Sequence, residues 1–204
     1  MPFNISAFKA NGLVYGGARP SLFNVELQTP QGIGIDNVSK DKFRFVCKAA
    51  ELPASMVSEI PVPYFGRRIK VAGQRDFQDW SVRVINDEDF SVRALFEAWS
   101  NAMNRHVSNV RDPNLTQEAY KVDMTVKQFG KDGSLIRSYD LVGAFPTQIS
   151  PIALNWEAAN QIEEFGVTFA YDYWIPDVEQ SDKKAGGVNP YKDSVDLDGP
   201  LGPT

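Results

Sequence analysis

The chain has 204 residues, 43% of them hydrophobic and 23% charged, with a net charge of −5 and a pI near 5.0. That length accommodates one core, and the composition excludes a disordered or collagen-like chain for the bulk of it. A single cysteine, Cys47, and a single histidine, His106, exclude an intrachain disulfide and a four-ligand zinc site. The negative charge disfavours tight binding to a phosphate backbone, and no window reaches the ~18 consecutive apolar residues of a membrane span.

The opening residues Met1–Ala10 lack a basic region followed by an apolar run, which predicts folding in the compartment of synthesis. Residues 1–18 read as an irregular arm, residues 19–175 as the folded body, and residues 176–204 as a flexible acidic tail rich in Gly and Pro. That tail holds six acids against three lysines, more than half of the net charge.

Within the body, alternation of apolar and polar residues predicts strands over Phe23–Gln28 and Phe43–Lys48, with Gly32-Ile33-Gly34 as a turn between them. Pro61, Pro63 and Gly66 interrupt the pair Val57–Pro63 and Arg67–Ala72, which predicts a long hairpin with an exposed tip. A further strand covers Trp80–Ile85. Val92, Leu95, Phe96, Trp99, Ala102, Met103 and His106 then recur at helical spacing, with Asp87-Glu88-Asp89 ahead of them as cap and first-turn acids. Tyr120–Lys127 alternates again, and Gly130-Lys131-Asp132-Gly133 turns it back into Ser134–Val142. Phe165–Tyr173 is the last strand. The expected class is mainly β: an antiparallel sandwich or half-barrel with one flanking helix.

Candidate chemistry is sparse. Asp87, Glu88 and Asp89 could hold a metal or act as an acid/base pair, but they lack the Gly and Glu of a calcium loop and sit where a helix start alone places them. His106 falls on the helix stripe with no nucleophile motif nearby, and Cys47 alternates with Phe43 and Phe45 as a small buried hydrophobe. Arg67-Arg68-Ile69-Lys70 is a short cationic stretch without the aromatic platform of a single-strand binder. These residues predict neither a cofactor nor catalysis.

Several stretches carry a resemblance in order along the chain: Ala18-Arg19-Pro20-Ser21-Leu22-Phe23-Asn24-Val25-Glu26, Cys47-Lys48-Ala49, Glu59-Ile60-Pro61-Val62, and Arg68-Ile69-Lys70-Val71-Ala72-Gly73-Gln74-Arg75 with Phe77 and Asp79-Trp80. With Phe145-Pro146-Thr147 and Asp172-Tyr173-Trp174, they resemble the tail tube proteins of contractile-tailed bacteriophages. The resemblance implies six copies per ring, inner strands joined into one continuous barrel, and rings stacked into a virion tube assembled in the host cytoplasm. It also implies sheath, baseplate and tube-terminating partners, with genome DNA passing through unheld. Within the same fold the alternative is the tube of a contractile injection or type VI secretion system. From another class it is a cell-wall or glycan hydrolase, which requires a cleft with paired carboxylates.

On this reading the strands around Phe43–Lys48 and Phe165–Tyr173 are edges that neighbours cover. The hairpin tip, with Pro61, Tyr64, Phe65, Arg67 and Arg68, is the expected ring-to-ring contact. Period-two alternation puts Asp123, Thr125, Glu164, Thr168 and Asp172 on the wet faces of their strands, which means either the channel or the outer surface; the negative charge of the acids favours the channel.

Overall fold

The structure, a computed structural model, describes residues 4–14, 16–28, 30, 33, 37–113 and 115–177. The turn glycines Gly32 and Gly34 and the acidic tail from residue 178 lie outside the described residues. In chain order the elements are α1 (Ile5–Asn11), β1 (Phe23–Leu27), α2 (Asn37–Val46), β2 (Cys47–Ala50), β3 (Met56–Tyr64), β4 (Arg67–Asp76) and β5 (Trp80–Ile85). There follow α3 (Ser91–Met103), α4 (Gln117–Tyr120), β6 (Val122–Phe129), β7 (Leu135–Ile149), β8 (Glu164–Ala170) and β9 (Tyr173–Asp177).

One antiparallel sheet, ordered β1-β6-β7-β8-β5-β2 with β9 also on β7, makes the body, and β3 and β4 form a separate two-stranded ribbon. Strand β7 turns the corner of that sheet. Its first half pairs with β9, Ser138 opposite Asp177 through Val142 opposite Tyr173; its last residues pair with β8, Phe145 opposite Ala170 through Ile149 opposite Val167. Only Tyr171 and Asp172 separate β8 from β9, so the two follow one edge of β7 as a single bent strand. Gly143 takes a φ of +69° at the bend, the kind of device by which strands pass from one limb of a folded sheet to the other.

The two limbs close on one core. Val25, Leu27, Met124, Val126 and Leu141 from the β1-β6-β7 limb meet Val82, Val84, Phe165, Val167 and Phe169 from the other. Helices α2 and α3 cover the open side with Phe43, Val92, Leu95, Phe96 and Trp99. Phe43 meets Phe96 edge-on at 5.5 Å, Phe96 meets Phe169 at 5.7 Å, and Trp99 donates Nε1–H to the Tyr120 carbonyl at 2.9 Å. Each fully buried aromatic of this set contributes about 1.5–3 kcal/mol by leaving water.

The mainly β, antiparallel architecture agrees with expectation, and several details differ. Residues 37–46 are a helix, so two substantial helices flank the sheet instead of one. Ser39, Phe43 and Val46 turn inward at i, i+4, i+7 while Phe45 is 81% exposed; a period of 3.6 governs this segment, and the short alternation Phe43-Phe45-Cys47 is coincidental. Helix α3 ends at Met103, where Asn104 turns to extended geometry (φ −155°), so His106 leaves the apolar stripe and is exposed. Phe90, with φ 53°, takes the cap position and makes no side-chain cap; Asp89 instead accepts from the Ser91 N–H at 3.0 Å and its hydroxyl at 2.9 Å. Finally, β8 lies between β5 and β7, so Phe165–Ala170 is interior; β1, β2 and β9 are the edges of the described sheet. The arm holds α1, and the sheet runs through Pro176 to Asp177.

Candidate assembly surface

The ribbon of β3 and β4 is the feature the body does not absorb. Its turn is two residues long: Tyr64 pairs with Arg67, and Phe65 (φ 41°) and Gly66 (φ 78°) are both left-handed. Two positive φ values match the twist of the strands they join. Such a turn makes Tyr64 and Arg67 a hydrogen-bonded pair, so Pro61 and Pro63 fall at the alternating positions where no ladder donor is needed. The prolines leave the ribbon intact and remove donors from its outer edge, which blocks further strand addition.

Direct pairs share a face. Ile60 with Val71, Val62 with Ile69 and Tyr64 with Arg67 make one side; Pro61 with Lys70 and Pro63 with Arg68 make the other, where Glu59 pairs with Lys70 at 2.7 Å. Apart from Arg67 at its tip end the first side is apolar, and every residue on it is exposed. At the tip Phe65 is 91% exposed and meets the Tyr64 ring edge-on at 4.7 Å. Arg67 and Arg68 are exposed, and no ion pair to either is found among the described residues.

The root of the ribbon is fixed. Trp80 Nε1–H donates to the Glu51 carbonyl at 2.6 Å, and Trp174 Nε1–H to the Ala54 carbonyl at 3.0 Å. Phe77 packs between Tyr171 and Trp174 at 6.1 and 6.4 Å. The segments around Asp79-Trp80 and Asp172-Tyr173-Trp174 thus clamp the base of a projecting arm.

The outward polar residues divide between the two limbs. Asp123 and Thr125 lie on β6: Asp123 accepts the Gly143 N–H at 3.1 Å, and the Thr125 hydroxyl donates to Asp140 at 2.7 Å. Asp172 joins Asp123 at the corner, where Lys121 donates to both of its carboxylate oxygens at 2.8 Å. Glu164 and Thr168 lie on the other limb, Glu164 with Lys48 and Thr168 beside the Ser81 hydroxyl at 3.1 Å. Lys127 is held by Glu26 at 2.6 Å. The lysines on this surface are therefore paired with carboxylates.

The remaining candidates serve structure. Lys42 bridges Asp87 and Asp89 at 2.5 Å each, tying α2 to the start of α3. This bond is the first cause that draws Asp89 down to about 2, with the Ser91 hydrogen bonds next. Burial pushes the Cys47 thiol up to about 12, which removes its thiolate at neutral pH. Among the described residues no three of His, Cys, Asp and Glu gather as a metal site, and no helix is long and apolar enough to cross a membrane.

Sequence reasoning found the hairpin tip from its Pro, Gly and aromatic residues but missed the continuous apolar side behind it. The signal was there, since Ile60, Val62 and Tyr64 alternate with Pro61 and Pro63. It also missed Leu154, Trp156 and Ile162 in the β7–β8 connection, all strongly exposed.

A closed body that holds out an uncovered ribbon, anchored at its root, is the form of an assembly subunit. A family model described as phage tail tube protein matches residues 18–177. The tail tube proteins gp19 of Enterobacteria phages T4 and T6 are 35% and 34% identical over 158 residues, covering 77% of this chain and 90% of each relative. The chain belongs to the phage tail tube protein family. The sheath/tube terminator of an extracellular contractile injection system, PVC, in its extended state shares the fold at a TM-score of 0.57 and 16% identity, covering 79% of this chain and 96% of that one.

Proposed function

We propose that the protein is the repeating structural subunit of a phage tail tube: six copies close a ring, rings stack through the β3–β4 ribbon, and the bore conducts genome DNA. The observation that carries this reading is the ribbon, rigid at its root and exposed along its whole apolar side. An isolated subunit gains nothing from such a surface, whereas a stacked neighbour removes it from water. Tyr64 and Phe65 act as tip anchors, Pro61 keeps the edge unpaired, and Arg67 and Arg68 meet acids of the next ring. Sheath, baseplate and tube-terminating proteins are the further partners, and the role is structural, not catalytic.

The outward face with Asp123, Thr125, Glu164, Thr168 and Asp172 lines the bore in this reading. Free cations there would trap phosphates by counterion release; Lys48, Lys121 and Lys127 are paired with carboxylates, which supports a wall that lets DNA slide, while Arg83, exposed on β5 beside Ser81, has no ion pair among the described residues. Changing Asp123, Glu164 and Asp172 together to Lys should leave tubes intact and stall DNA ejection. Normal ejection, with the new lysines open to a bulky reagent excluded from the bore, contradicts the lining.

For stacking, electron microscopy of Y64S/F65S compared with the parent chain is decisive. Rings without tubes are expected; tubes of unchanged length refute the ribbon's role.

A further inference from the structure

Resting on the reading of the ribbon as the stacking element, we infer that its receptor is the β7–β8 connection, residues 150–163, of a second copy. The two surfaces lie at opposite ends of the same strands. The ribbon is rooted where Trp80 pairs with Phe169, and the connection enters β8 where Ile85 pairs with Glu164. The six-residue pairing between those points puts them roughly 17–20 Å apart, so one copy presents the ribbon at one pole and the connection at the other.

Their chemistry is complementary. The connection exposes Leu154 (81%), Trp156 (102%) and Ile162 (71%) around an open hollow of about 610 Å³. A lone chain has no use for a fully exposed tryptophan beside two exposed aliphatics, and these are the residue types that anchor interfaces. The ribbon offers the matching apolar side of Ile60, Val62 and Tyr64 with Phe65 at its tip. Residues 56–76 carry four cations against two acids, while residues 150–163 carry Glu157 and Glu163 and no cation. Steering therefore favours ribbon on connection and opposes ribbon on ribbon. Because the patches are different and sit at opposite poles, the contact is heterologous and leaves a free ribbon and a free receptor after every addition, as an elongating tube requires.

A cysteine pair tests the contact directly. V62C/L154C, assembled and then oxidised, should give a covalent ladder on a denaturing gel, and neither single variant should. Charge exchange is the second arm, for the case in which the pair does not assemble. R67E, on the same side of the ribbon as Val62 and Tyr64, should raise the concentration needed for assembly by about fivefold at low salt, and adding Glu157→Arg should bring it back. Tubes without a ladder, or an exchange that fails to restore R67E, overturn the receptor while loss of tubes in Y64S/F65S keeps the ribbon's role. Normal tubes from Y64S/F65S overturn the stacking role itself, and the receptor with it.

Discussion

Gly143 and Asp172 occupy the corner of the folded sheet together: the Asp172 N–H donates to the Val142 carbonyl at 3.0 Å, and a Cβ on Gly143 would overlap the Asp172 carboxylate. With its φ of +69°, Gly143 is held to glycine by backbone conformation, and a Cβ there would also have to displace the half-exposed Asp172 carboxylate. Gly143→Ala should destabilise the isolated subunit by about 1–3 kcal/mol, read as a lower Tm in thermal unfolding. An unchanged Tm would mean that the corner does not depend on this close approach.

Phe43 and Phe45 separate a helical from an extended reading of residues 37–46. Phe43 is fully buried against Phe96, and Phe45 faces solvent. Phe43→Ala should cost about 3–5 kcal/mol, and Phe45→Ala within about 0.5 kcal/mol. Equal losses in denaturant unfolding would favour the strand that the alternation suggested.

Lys42 governs an acid-sensitive link between α2 and α3. Asp89 falls from the ordinary 3.8 to about 2 in the folded chain, and Asp87 is lowered by the same lysine. A folded value below the unfolded one means that the contribution is complete above about pH 4 and is lost as pH falls from there toward 2. Lys42→Met should raise the Asp89 carboxyl titration followed by NMR and flatten the acid limb of the stability curve. An unmoved titration would assign the shift to Ser91 alone.

Trp174→Phe keeps an aromatic ring beside Phe77 but removes the hydrogen bond to the Ala54 carbonyl. Such a bond contributes about 1 kcal/mol. Hydrogen exchange in residues 51–57 should quicken and tube assembly should slow, with the far-UV spectrum unchanged. Undiminished protection at the ribbon's root would show that Trp80 alone holds it.

Much of this was legible from periodicity. Trp80–Ile85 reads as a strand and is one, and the Asp132-Gly133 turn joins β6 to β7 as expected, with Gly133 at φ +77°. Residues 43–47 misled because Phe43, Phe45, Val46 and Cys47 contain both an i, i+2, i+4 and an i, i+3, i+4 apolar pattern; Ser39, four residues before Phe43, decides for a helix only once its burial is known. The corner was hidden for a different reason. The positive φ of Gly143 belongs to a bend shared with Asp172, a neighbour 29 positions along the chain that local pattern cannot supply. The ribbon's tip announced itself through Pro61, Pro63 and Gly66, whereas Leu154 and Trp156 sit in an aperiodic loop with no pattern to mark them.

A cryo-electron microscopy reconstruction of the assembled protein is the most direct measurement of whether the ribbon joins rings. The expected map shows stacked rings with Ile60, Val62 and Tyr64 of each copy enclosed by the ring above or below it. Stacked rings with the ribbon left in solvent, or a chain that stays monomeric at high concentration, would contradict it.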